Sequence, residues 1–148
     1  KYLERHNTDL KLVLTGKGKI DIPQQFSKNI LDLFLSREDL NSAFEAATLF
    51  CLPSVNESFS IVLMESWINK TPVLVHNECA VTKEHCINSN GGLFFDSYLE
   101  FEACLNYLLE NPIIAKKLGE NGFDYVKNNY KWNDIVKSYV DFFQSIKN

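Results

Sequence analysis

A three-layer α/β sandwich is the fold the sequence predicts, with a parallel sheet of about five strands, helices on both of its faces and further helices at the C-terminal end. Three observations predict it. Short β-rich apolar runs alternate with helix-patterned segments through most of the chain, and alternation this regular makes the strands parallel, because each crossover needs a helix. The runs TLFCLPS and VLVHN are continuously apolar rather than alternating, the pattern of strands covered on both faces. From Tyr98 onward the spacing of apolar residues is helical. With 148 residues, 45% hydrophobic and 23% charged, the chain suits one globular domain with a sizeable core, spanning residues 1–148.

Each element has its local reason. KYLERHNTDL reads as the end of a helix running into a strand. KLVLTGKG (Lys11 to Gly18) is a short apolar β run stopped by Gly16 and Gly18 at a turn. ILDLFLS (Ile30 to Ser36) is a second strand, and SREDL opens a helix with Ser36 as N-cap and Asp39 reaching back to it; LNSAFEAA completes that helix. TLFCLPS (Thr48 to Ser54) is a third strand closed by Pro53. A helix over ESFSIVLMES follows at once and ends at Thr71-Pro72. VLVHN (Val73 to Asn77) is the fourth strand, TKEHC a short helix and GGLFF (Gly91 to Phe95) the fifth strand. FEACLNYLLE, a segment with Pro112 in its first turn and an amphipathic stretch from Asn133 to Ile146 are helices.

Charge and composition exclude several classes. The formal net charge is -4 with no Lys/Arg stripe, which argues against a nucleic-acid surface. No apolar run approaches the ~20 residues of a membrane span. Cys51, Cys79, Cys86 and Cys104 form no CxxC pair and read as reduced thiols, so the expectation is a cytoplasmic domain, with peripheral association at the inner face of the membrane left open.

One stretch asks for more than a structural account. In ESFSIVLMES, Glu57 opens the run and Glu65 sits among Ile61, Val62, Leu63, Met64, Trp67 and Ile68. A buried carboxylate without partners costs several kcal/mol. In parallel sheets the ligand site lies beyond the carboxyl ends of the strands, and Pro53 to Ser60 is such a loop. Amides of Ser58, Phe59 and Ser60 opening a helix suit a phosphate. Glu57 and Glu65, ~80° apart on a helix, would border one cleft and accept hydrogen bonds from sugar or ribose hydroxyls. A salt-bridged Glu65 and a solvated Glu57 remain open on spacing alone.

PSVNESFSIVLMES resembles the E-x7-E signature of the group 1 family of retaining glycosyltransferases with the GT-B fold, usually written P-S-x-x-E-G-F-G, an apolar stretch and E-A. TPVLVHN is similar to the family's G-x-P-V-I-A-T strand. Glu84 falls where a Glu precedes the family's G-L-L strand, and NGGLFF resembles that strand. ENGFDYVKNNYKWNDIVKSYVDFF resembles the closing N-G-R-x-x-V…F-x-W-x-x-V. The likeness runs from about Leu12 to the end. It implies one half of a GT-B fold, Rossmann-like, that holds a UDP-, GDP- or ADP-sugar without metal or other cofactor. Glu57 would be the catalytic contact to donor-sugar hydroxyls. Ser58, Phe59 and Ser60 would present amides to sugar and phosphates, Glu65 would bind ribose, and Gly16 and Gly18 would line the base or diphosphate side. The implied reaction moves a sugar to an acceptor hydroxyl with retention, the acceptor being a sugar, lipid-linked sugar or glycan, in a setting such as surface-polysaccharide or lipopolysaccharide synthesis.

The chain departs from the pattern in places. Ser58-Phe59-Ser60 replaces G-F-G, Lys70 stands at a common Gly, and Glu78-Cys79-Ala80 replaces a G-G loop. The family's diphosphate-binding Arg and Lys would lie upstream of Lys1, as would the acceptor-binding domain, so the resemblance implies a donor-binding fragment inactive by itself. Three rival readings stand beside it: zinc ligation by His76, Cys79, His85 and Cys86, whose spacing fits no common zinc pattern; a non-catalytic binding or assembly module; and a dinucleotide oxidoreductase, which lacks G-x-G-x-x-G.

Overall fold

The computed structural model describes residues 1–6 and 8–146. They form two compact units, Lys1–Ser42 and Ala43–Asn148.

The first unit holds α1 (Tyr2–Arg5), β1 (Leu12–Thr15), a short 3-10 turn at Gln24–Phe26 and β2 (Ile30–Leu33). β1 and β2 pair in parallel, Leu12 beside Ile30 through Thr15 beside Leu33. Asn29 locks the lead-in to β1, its amide donating to the carbonyls of Thr8 at 3.1 Å and Leu10 at 3.0 Å. α2 (Arg37–Ala46) begins here. The expected cap is present: the Asp39 amide donates to Ser36 Oγ at 3.1 Å while that hydroxyl donates to the Asp39 carboxylate at 2.6 Å, so Ser36 satisfies one of the helix's orphan donors.

The second unit contains β3 (Phe50–Leu52), α3 (Ile61–Ile68), β4 (Val73–His76), α4 (Ala80–Ser89), β5 (Gly92–Phe95), α5 (Tyr98–Glu110), α6 (Pro112–Asn129) and α7 (Trp132–Ile146). The strands form a parallel sheet in the order β3-β4-β5. The expected five strands are all present, divided between a parallel pair and a parallel trio. Val73, Leu74 and Val75 are each fully buried; successive strand residues point to opposite faces, so β4 is covered on both. Helices α3 and α4 pack against the sheet, and α6 lies along α3.

Trp67 of α3 is the centre of this packing. It is 0% exposed, its Nε1–H donates to the Gly91 carbonyl at 2.9 Å, and Leu63, Met64, Val73, Val75, Cys86 and Val126 complete the cluster. Gly122 and Gly119 of α6 face this region so closely that a Cβ at Gly122 would strike the Trp67 ring, and one at Gly119 the Lys70 carbonyl. Helix α7 is different: it has no buried residue. Trp132, Tyr139, Phe142 and Phe143 are exposed, and they form the exposed apolar patch expected of this amphipathic segment.

Candidate functional site

β3 ends at Leu52, and the chain runs through Pro53 to Ser60 before α3 starts at Ile61. This loop therefore lies where a parallel sheet is expected to place a ligand site, past the carboxyl end of a strand and at a helix N-terminus. One expectation is corrected. Glu57, Ser58 and Phe59 precede the helix rather than opening it, so Glu57 and Glu65 do not share a helical face. The reason is Ser60, whose φ of 64° and ψ of 71° are left-handed and interrupt any helical path through residues 57–60. Glu57 is half-buried in the loop, Ser58 and Phe59 are exposed, and Ser60 is buried. Glu65 is half-buried in mid-helix, its carbonyl accepting from the Asn69 amide at 2.9 Å. Gly16 and Gly18 follow β1 in the other unit, and Gly18 has φ of 130°, a backbone reserved to glycine.

The first turn of α3 is short of acceptors. The Leu63 amide donates to the Ser60 carbonyl at 3.1 Å, but no side chain caps the helix, and the leading N–H groups of such an end carry partial positive charge. Ser60 Oγ is buried without a hydrogen-bond partner. A serine in the left-handed region, with an unsatisfied buried hydroxyl, is a local cost of the sort that accumulates at binding sites. Lys70, at another position where the family pattern favours Gly, is also left-handed, with φ of 59°. The two departures therefore occupy positions where the backbone itself favours glycine. Ser60→Gly is expected to raise stability by about 1 kcal/mol, by relieving the left-handed strain and removing the orphan hydroxyl. Ser60→Ala keeps the strain and should gain less; urea unfolding of both variants measures the difference.

Behind the loop stands an aromatic group that sequence reasoning did not assemble. Phe59 packs edge-on against His85 at 5.4 Å and Tyr130 at 5.2 Å between ring centres. His85 Nδ1 shares a hydrogen bond with the Tyr125 hydroxyl at 3.2 Å, which meets the Tyr130 hydroxyl at 3.3 Å. Burial holds the His85 imidazole below the usual histidine range, against the opposing influence of the Phe59 backbone and the Glu84 charge. Burial, then the Tyr125 hydrogen bond, push Tyr130 up to about 12. No local pattern joins these residues, since His85 and Tyr125 are 40 positions apart; the hint available was that the Tyr125–Tyr130 segment belongs to a stretch resembling the family and that His85 follows Glu84, which does so too.

His85 also belonged to the zinc reading. His76 ends β4, Cys79 precedes α4, and His85 and Cys86 lie within α4. Among the described residues no group of three such side chains is placed to hold a metal ion. Burial pushes the Cys51 thiol up to about 11 and Cys86 up to about 12, away from the thiolate state that ligation and nucleophilic attack require. No helix among the described residues is long and apolar enough to cross a membrane.

Comparison with known proteins agrees with this architecture. An uncharacterized glycosyltransferase of Methanocaldococcus jannaschii is 29% identical across 97% of this chain, which spans 39% of that relative's length. Sucrose-phosphate synthase from Thermosynechococcus elongatus superposes on 92% of the chain and 38% of its own with a TM-score of 0.78 at 20% identity. The C-terminal domain of a group 1 family glycosyl transferase from Francisella tularensis does so on 73% of the chain and 57% of its own, with a TM-score of 0.62 at 19% identity. The fold is thus that of a GT-B domain. A family model described as glycosyl transferases group 1 matches residues 1–125. With five sixths of its length matched by that model, this chain belongs to the group 1 glycosyl transferases.

Proposed function

We propose that residues 1–148 are the donor-binding C-terminal domain of a glycosyltransferase that moves a sugar from a nucleotide sugar to an acceptor hydroxyl with retention of configuration. The observation that supports it is the loop of Glu57 to Ser60 at the uncapped N-terminus of α3, with the half-buried Glu65 about one turn into the helix, in a chain of this family. In the proposed site Glu57 accepts hydrogen bonds from donor-sugar hydroxyls and Glu65 from ribose hydroxyls. The amides of Ser58, Phe59 and Ser60 face the sugar and phosphates, and the positive end of α3 stabilises charge developing on the departing diphosphate.

The remainder of the longer protein supplies the acceptor site and further cations, so this chain alone binds donor without transferring it. Closure of the two halves then completes the site. The exposed apolar face of α7 suits burial against that remainder. The acceptor is a sugar, lipid-linked sugar or glycan of a surface-polysaccharide or lipopolysaccharide pathway, reached in the cytoplasm or at the inner membrane face.

Titration of the chain with UDP, GDP and ADP tests the reading. One nucleotide is expected to bind weakly and saturably, and Glu65→Ala to weaken it about tenfold, the loss of charge-assisted hydrogen bonds worth ~1.5–3 kcal/mol. Equal binding by wild type and Glu65→Ala would overturn the assignment of Glu65. A fold-preserving module without donor chemistry would bind none of the three.

A further inference from the structure

Two buried polar atoms lack hydrogen-bond partners among the described residues, Ser60 Oγ and His85 Nε2. Both adjoin Phe59, the first by chain connectivity and the second through its ring. Buried polar groups are nearly always paired, so two orphans on either side of Phe59, one in the loop and one in α4, ask for a common cause.

The hydroxyl contacts of His85 bear on where its proton sits. Tyr130, Tyr125 and His85 Nδ1 form a chain of hydrogen bonds. If each hydroxyl donates toward the imidazole, Nδ1 is an acceptor and the proton of the neutral ring is on Nε2. Since Nδ1 is engaged by Tyr125, Nε2 is the nitrogen left for the Phe59 backbone, which already favours the protonated ring. We propose that His85 is a positioning residue for the Glu57–Ser60 loop: its Nε2–H donates to the Phe59 carbonyl when a nucleoside diphosphate seats on the loop amides, and its ring holds Phe59 edge-on throughout. A peptide carbonyl fixed on one side fixes the direction of the amide that follows, so the Ser60 N–H is aimed at the ligand by a residue that never touches it. The inference rests on the reading of this loop as a donor site.

The arrangement has a pH signature. The titratable groups around the imidazole are Tyr125 and Tyr130 from α6 and its C-terminal end, and Glu84 on its own helix. Protonating the ring gives Nδ1 a proton, forces Tyr125 to accept instead of donate and places a charge in a partly buried aromatic setting. The imidazolium keeps its Nε2–H and donates it more strongly to the Phe59 carbonyl, so forming that contact on binding makes affinity rise as the pH drops through the His85 pKa.

Calorimetric titration of the chain with UDP, GDP and ADP, at about pH 8 and about pH 5, in wild type, His85→Phe, His85→Gln and Glu65→Ala decides the matter, with thermal melting of each. His85→Phe keeps the ring contact and removes the orphan nitrogen. It is expected to lose about tenfold in affinity at the higher pH, a single hydrogen bond's worth, with melting not lowered and only the pH dependence of the nucleotide's own terminal phosphate remaining, while His85→Gln recovers part of the affinity. Wild-type affinity and pH profile in His85→Phe, beside weakened Glu65→Ala, would overturn the role of His85 and leave the donor site standing. Affinity lost together with melting temperature, and not recovered by Gln, would make His85 a packing residue and overturn it too. No nucleotide bound by the wild type would remove the donor reading and this inference with it.

Discussion

Gly119→Ala is expected to destabilise the second unit by roughly 3 kcal/mol or more, the upper range for forced overpacking in a tight interior. Helix propensity argues the opposite. Alanine is better than glycine by about 1 kcal/mol in a helix interior, and Gly119 lies inside α6. Contact geometry decides the sign. The added methyl would meet the Lys70 carbonyl oxygen, with the Lys70 carbonyl carbon at 2.6 Å and Pro72 Cδ at 3.3 Å. These are mostly backbone atoms of the turn between α3 and β4, and a backbone cannot rotate aside as a flexible side chain can. That turn is held by Ser66 Oγ donating to the Thr71 carbonyl at 3.0 Å and Thr71 Oγ1 donating to the Phe44 carbonyl at 2.6 Å, so moving it disturbs α3 and its Trp67 as well. Urea unfolding should show the midpoint falling with the slope unchanged. An unchanged or raised midpoint would mean that α6 does not seat on this turn.

Glu57→Gln should reduce sugar transfer by the full-length protein about a hundredfold or more, the scale seen when one preorganised polar contact to a developing charge is removed. The exchange is nearly isosteric and the site half-buried, so melting should change little. Nucleoside diphosphate affinity should also change little, because the assigned partner of Glu57 is the sugar, whereas Glu65→Ala acts on the ribose end. A fall in kcat/KM with kcat falling equally would place the interaction in the transition state. Undiminished transfer by Glu57→Gln would remove Glu57 from the chemistry. Absence of transfer by the wild-type protein itself would favour the non-catalytic module.

The difference between these two predictions marks what local sequence can express. Glu57 and Glu65 stand out by chemical type against their neighbours, and Glu57 follows an apolar strand closed by Pro53, so a loop past the third strand leading into an apolar helix was legible. Strand existence was legible for the same reason: β4 is a run of apolar residues because both of its faces are covered, and burial selects apolar residues directly. The Ser36–Asp39 cap was legible because its partners are three residues apart.

Other features depend on approach between distant segments. Ser60 gives no sign in its type that it turns left-handed and delays α3 to Ile61; the likeness to a G-F-G pattern hinted that glycine is comfortable there, and the backbone angle explains why. Gly119 and Gly122 look like weak points of a helix until the α3 surface is placed against them. His85 suggests a metal ligand by residue type, and only the meeting of α4, α6 and the Phe59 loop turns it into a support for that loop.

By itself the sequence determined the order of strands and helices, the family and the carboxylates that mark the candidate site, because periodicity, burial preference and residue chemistry act within a few positions of one another. Tertiary structure alone decided the grouping of strands into a pair and a trio, the start of α3, the glycines that cannot change and the histidine behind the loop. Those are consequences of atoms brought within a few ångströms by packing, and close packing depends on partners that no local pattern specifies.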